Sequence, residues 1–316
     1  MSFKTDQDKI FKNALKGMTD TEKRVAIAYR DSLKNVRNEL IKLSEKVDTL
    51  TYAEMTKFNR LRNLEQNITK ELKALNIETT KIINNDLIKQ WDDTYFQTWY
   101  GFEKNVGLSM NFGLLDQDAV KAAVQFPWGG SPLNQVISDN TITLLKKVNK
   151  NIVAGIIEGK SLQAVSREIS KQFNTGYKKA LTIVRTETLR AYEQSHTAAR
   201  DKAINKGVEV QKVWMATIDG RVRDGHIRAD GQRRDPDKDF NLTNPTASGP
   251  APHMIGVAAH DINCRCRTVD EIVGLSDQLQ KRRVRDVGVV DLPNMEGAAF
   301  ELWKKMKLNK KKNKKK

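Results

Sequence analysis

The sequence predicts a predominantly α, α+β protein. It has a long N-terminal helical hairpin or coiled-coil-like region, a helical middle, a small loop-rich α+β C-terminal domain and a disordered basic tail. Three observations carry this. Apolar residues recur at helical spacing over residues 33–75, every histidine and cysteine falls within residues 196–266, and residues 304–316 are mostly lysine. The 316 residues are 39% hydrophobic and 30% charged, enough for two domains but a thin apolar supply for one compact globule, so elongated parts are expected.

The N-terminal helices rest on two runs. Leu33, Val36, Leu40, Leu43, Val47 and Leu50 form a seam of alternating three- and four-residue steps, with Lys34, Arg37, Glu39, Lys42 and Glu45 on the other faces. Phe58, Leu61, Leu64, Ile68, Leu72 and Leu75 form a second seam, preceded by Thr51 and Glu54 at capping-box spacing. Together they predict a helical hairpin. A DNA-binding zipper would need a basic region, and "DTEKRVAIAYRDS" mixes acids with bases.

Trp91, Tyr95, Phe96, Trp99, Tyr100 and Phe102 follow at helical spacing, which favours a core role over a partner surface. Gly129, Gly130 and Pro132 break the chain, and Ser131 is placed to cap a helix that Gly159 ends. A short helix over 160–173 capped by Ser161 is expected next, then a long one from Tyr177 to Gly207. In "VEVQKVWMATIDG", the alternation through Val208, Val210, Val213 and Met215 predicts a strand, and Asp219-Gly220 a tight turn suited to positive φ. The resulting organisation is 1–130 helical with an aromatic segment, 131–207 a helical connector, 208–275 a small strand-and-turn domain, and 276–316 linker and tail.

Composition limits function. Two cysteines give no disulfide framework, the N-terminus lacks a signal-peptide core, and no apolar stretch approaches the ~18 residues of a membrane span, so a soluble cytoplasmic product is expected. More than half of the net charge of +16 lies in nine lysines, Lys304, Lys305, Lys307, Lys310, Lys311, Lys312, Lys314, Lys315 and Lys316. Such a run attracts double-stranded DNA through counterion release without reading bases.

"IVRTETLRAYEQSHTAARDKAINKG", then "VWMATIDGRVRDGHIRADGQ", closed by "INCRC", resembles the phage Mu protein F-like family of minor head proteins, also called phage head morphogenesis proteins. The resemblance is strongest over residues 150–272. It carries family-motif roles onto Arg185, Glu187, Trp214, Asp219, Arg223 and Gly231. It implies a minor capsid protein of the procapsid and virion head interior, made in the host cytoplasm and associated with the portal protein. Scaffold and major capsid protein are further implied contacts, and the N-terminal helices could self-associate.

The cysteine-histidine cluster admits a structural zinc held by His226, His260, Cys264 and Cys266, with His253 the alternative to His260. Some members of the resembled family carry Cys-x-x-Cys where this chain has Arg223 and His226, so the first ligand of that pattern is replaced here. The alternative is a buried turn at Cys264 and Cys266 with His226 bonded to a carboxylate such as Asp219. A disulfide across one residue would be strained. A metal-dependent nuclease built from the His, Asp and Cys residues of 219–266 is the enzyme reading. No Walker loop, nucleophile elbow or zincin helix accompanies it, and Arg185, Glu187 and Arg190 are expected to form a salt-bridged interface or to clamp the small domain.

Overall fold

The computed structural model describes residues 3–44, 52–56, 59–107, 116–125, 131–274, 281–284 and 288–291. As expected, it is mostly helical with a small antiparallel sheet region. Four long helices dominate: α1 (Phe3–Ser44), α3 (Arg60–Val106), α5 (Leu133–Ile157) and α6 (Leu162–Ile204), with short α2 (Tyr52–Thr56) and α4 (Gln117–Gln125) between them. They contribute to two compact units that do not follow chain order, one of residues 17–86 and 131–185, the other of 1–16, 87–130 and 186–316.

In the first unit, α1 and α3 form the expected antiparallel hairpin. Val36, Leu40, Leu64, Ile68, Leu72 and Leu75 are buried, and polar pairs rim them: Asn35 with Glu71, Asn67 with Glu39, and Thr21 and Arg24 with Asp86. Val47, Leu50, Thr51 and Phe58 lie outside the residues whose side chains are described. Buried Leu144, Val148 and Ile152 of α5 and Val165, Ile169 and Phe173 of α6 complete the core. Ser161 caps α6 as expected, its Oγ accepting the amide of Ala164.

Two expectations fail here. Ser131 caps nothing, because Pro132 occupies the cap position of α5 without a side-chain hydrogen bond. The two helices expected either side of Asn174 are one 43-residue helix. Gly176 does not break it, because the missing side chain is filled by neighbours: a Cβ there would sit 3.3 Å from Leu144 and 3.4 Å from Tyr29. Asn140 of α5 also donates to the Gly176 carbonyl and to the Tyr29 hydroxyl, so packing outweighs the cost of glycine in a helix.

In the second unit, α3 continues without interruption through the aromatic segment. Trp91, Tyr95, Trp99 and Phe102 are buried, but Phe96 and Tyr100 are exposed on the other face, so the expected aromatic core holds for four of six. Gly129 and Gly130 and the lysines from Lys304 onward lie outside the described residues. After α6 the chain turns at Gly207 (φ +91) into β1 (Val210–Met215). The remaining elements are α7 (Asp224–Ala229), β2 (Arg233–Arg234), β3 (Phe240–Leu242), β4 (Ala247–Gly249), α8 (Ala258–Asp261), β5 (Arg267–Ile272), β6 (Lys281–Val284) and β7 (Gly288–Asp291).

The main sheet has the order β2-β1-β5, all antiparallel, with Val213 opposite both Arg233 and Val269. Val208 and Val210 bury against Phe3, Trp99, Phe102 and Ala203. A second small core joins Trp214, Ala216, Ala229, Phe240, Leu242, Ile255, Cys264 and Cys266. The turn after β1 forms at Asp219, whose Oδ1 accepts the Arg221 amide, but the residue with positive φ is Gly231 (+81), not Gly220. Gly231 donates its amide to the Trp214 carbonyl and so closes β1 onto β2.

Candidate functional site

Two sites emerge in the second unit. The first gathers the motif residues. Trp214 is buried at the end of β1, with His226 edge-on at 5.6 Å and Phe240 at 5.4 Å. α7 presents His226 to Cys264 and Cys266, in the segment that leads into β5. Gly225 lets α7 pack directly on the Thr243 backbone, because a Cβ there would lie 1.9 Å from the Thr243 carbonyl oxygen. His226 Nδ1 lies 3.2 Å from Cys266 Sγ and 3.4 Å from Cys264 Sγ, and the three ligand atoms fall within 4.8 Å of one another. All three residues are buried, and burial pushes the Cys266 thiol up.

The proposed four-residue ligand set is therefore not assembled. His260 Nδ1 faces His226 Nε2 at 3.1 Å, on the far side of the ring from the sulfurs, and its Nε2 lies 2.8 Å from the Pro245 carbonyl. His253 points Nε2 at the Cys266 carbonyl, not the thiol. The alternative bond from His226 to Asp219 is also absent. Asp219 is claimed by Arg265, whose Nη2 lies 2.8 Å away, and that guanidinium holds the carboxyl down to about 2. Arg223 donates from Nη1 to the His260 carbonyl and from Nη2 to that of Ile262, clipping the turn that leads into Cys264.

The RTET helix works as a scaffold. Arg185 pairs with Glu22 in the first unit. In the second, Glu187 holds Arg190, whose guanidinium donates to the carbonyls of Ala123 and Val124 at the end of α4, where unpaired carbonyls favour a cation. Thr186 Oγ1 accepts the Asn263 amide, so the clamp onto the small domain falls to Thr186 rather than to the charged residues.

The second site is a buried polar network missing from the sequence reading. Glu193, His196 and Arg200 share one face of α6, and Thr268 and Asp270 share one face of β5. Glu193 accepts the Thr268 amide (2.7 Å) and hydroxyl (2.6 Å). His196 lies 3.2 Å from the Thr268 hydroxyl through Nδ1 and 3.3 Å from Asp270 through Nε2, and Arg200 meets Asp270 at 3.1 Å. Gln7 of α1 accepts the Asp270 amide and donates to the Asp270 carbonyl, taking the place of a neighbouring strand.

All of these side chains are buried. Burial pushes Glu193 up to about 7 and His196 down to about 4. Lys212 of β1 is buried too, donates to the Pro250 carbonyl, and is lowered by burial to about 8. Only the three-residue spacing of Glu193 and His196 hinted at this in the sequence; the pairing with β5 spans 75 residues for Glu193 and 263 for Gln7.

A Trp-anchored sheet is thus closed by the Cys-Arg-Cys segment and docked on the Arg-Thr-Glu helix. The family model for Phage Mu protein F like protein, a family of phage minor head proteins, matches residues 146–269 of the chain.

The chain is 29% identical over 276 residues to minor head protein GP7 of Bacillus phage SPP1, covering 85% of this chain and 88% of GP7. It is 30% identical over 262 residues to NAD(+)--arginine ADP-ribosyltransferase EFV of Enterococcus faecalis, covering 83% of this chain but 53% of that protein. An uncharacterized protein of Haemophilus influenzae is 27% identical over 170 residues. The chain thus spans about half the length of the transferase relative and 34% of the Haemophilus one. No solved structure matches it.

Proposed function

We propose that this chain is a non-enzymatic minor head protein that joins the portal vertex of a phage procapsid and remains in the virion head beside packaged DNA. The observation that carries this reading is the alignment with the SPP1 minor head protein, which runs through nearly the whole of both chains. The long helices supply protein-contact surface, and exposed Ile77 and Tyr100 on α3 are available to a partner. The nine lysines of 304–316 contact phosphates without reading sequence. No helix among the described residues is long and apolar enough to cross a membrane.

Three of the carboxylates that an enzyme reading would draw on are engaged in structure. Asp219 is held by Arg265, Asp230 accepts the Ala216 amide, and Glu187 is held by Arg190. The metal-ligating group gathered among the described residues contains no carboxylate, which disfavours the nuclease alternative. The transferase relative motivates a second assay, because the activity it is named for belongs to a protein of which nearly half lies outside the match. Capture of the tagged chain from infected cells should bring down portal rings or heads. Recovery as a free monomer, or transfer of label from NAD(+) to arginine by the purified chain, would reverse the assignment.

A further inference from the structure

The sulfur-imidazole cluster is more than a packed corner. An imidazole nitrogen has a single in-plane lone pair, so His226 Nδ1 cannot accept a good hydrogen bond from both thiols that approach it. The Cys264 sulfur accepts the Cys266 amide, but only one of the two thiol protons can be taken up by Nδ1. A cation bound to all three donors satisfies them at once. With zinc–sulfur bonds of about 2.3 Å and zinc–nitrogen bonds of about 2.0–2.1 Å, a tetrahedral site has sulfur–nitrogen edges of about 3.5 Å. The two observed separations are 3.2 and 3.4 Å.

The ring is also set in the tautomer a metal needs. The Pro245 carbonyl can only accept, so His260 Nε2 carries the proton facing it. With both rings neutral, His260 Nδ1 then accepts, His226 Nε2 donates to it, and His226 Nδ1 is left as a bare lone pair aimed at the sulfurs. A ligating histidine held by its other nitrogen is the usual outer-shell arrangement of a metal site. Trp214, Phe240, Leu242 and Ile255 make the surroundings apolar, and two thiolates neutralise one divalent ion there.

We propose that Cys264, Cys266 and His226 bind one zinc ion, with His260 as a positioning residue behind His226 and Arg223 as a clip on the adjoining turn. Neither His260 nor Arg223 contributes a ligand atom. The proposal concerns the closure of the small domain and is independent of the role assigned in the head.

The test uses the full chain, incubated with zinc and freed of excess metal by gel filtration. Mass spectrometry of the metal should give one zinc per chain, and cobalt substitution should give a thiolate-to-cobalt charge-transfer band. Cys264→Ser, Cys266→Ser and His226→Ala should each lose at least nine-tenths of the bound zinc and the band, while helical circular dichroism reports that the long helices remain folded. His260→Ala should keep one zinc but bind it roughly 10- to 100-fold more weakly. Arg223→Ala should also keep one zinc, bound more weakly because the turn into Cys264 loses its clip. A folded wild-type chain with no zinc and no cobalt band, or copper or iron bound in place of zinc, would overturn the proposal. Loss of zinc from His260→Ala as complete as from Cys264→Ser would overturn the three-ligand assignment.

Discussion

The two compact units hold themselves together by different means. Residues 17–86 and 131–185 bury rows of Leu, Ile and Val along long helices and keep their ion pairs at the rim, where exposed pairs such as Lys23 with Asp20 contribute little. The small sheet of the other unit rests on side chains that are costly to bury. Glu193, His196, Arg200, Asp270 and Gln7 meet at β5, and every one of them depends on a partner distant in sequence. Apolar packing tolerates change through partial relaxation, whereas a buried polar network fails when one member is removed. The helical unit is thus the adaptable part, and the small domain the part that specifies a single arrangement.

The contrast can be broken most strongly at Arg200. Arg200→Ala leaves Asp270 buried without its cation and should cost about 3–5 kcal/mol, read as rapid proteolysis of residues 208–274 while the helical signal persists. Unchanged protease resistance would mean that the network is not what holds the sheet. In the helical unit, Ile68→Ala should cost about 3 kcal/mol in denaturant unfolding through cavity formation, without exposing the small domain to protease.

Glu193 sharpens the comparison through pH. Its folded pKa is raised from 4.5 to about 7, so the folded state holds a proton that the unfolded state has released. Stability from this group is therefore full below pH 4.5 and falls as pH rises to about 7, by roughly 3 kcal/mol. His196 acts in the opposite sense, because its folded pKa is lowered from 6.5 to about 4 and stability falls as pH drops through that interval. Glu193→Gln keeps both bonds to Thr268 and should remove the first slope while leaving the second; chemical unfolding at pH 5, 6 and 7 checks this. Lys23→Ala should move stability by less than about 0.5 kcal/mol.

This contrast also explains what was legible from the amino-acid order. The hairpin could be read because its seam repeats locally, and the ends at Gly159 and Gly207 because a residue with positive φ is needed there. The continuity of α6 could not, since Gly176 looks like a break until Leu144 and Tyr29 are seen beside it. At the candidate metal centre, the residue types were visible but not the directions of their rings. His260 lies on a four-residue helix, too short for periodicity to give its facing, and it turns toward the back of His226. Asp219 looked available to His226 because nothing local marked Arg265 as its partner. The β5 network was least legible of all, being made of long-range pairs.

Amide hydrogen exchange at β5 tests most directly whether side chains of α1 and α6 close this sheet. In the wild-type chain the amides of Thr268 and Asp270 should exchange as slowly as buried strand amides, held by Glu193 and Gln7. Gln7→Ala should release Asp270 selectively and leave Thr268 protected. Fast exchange of both amides in the wild type, or an unchanged Asp270 in the variant, would contradict it.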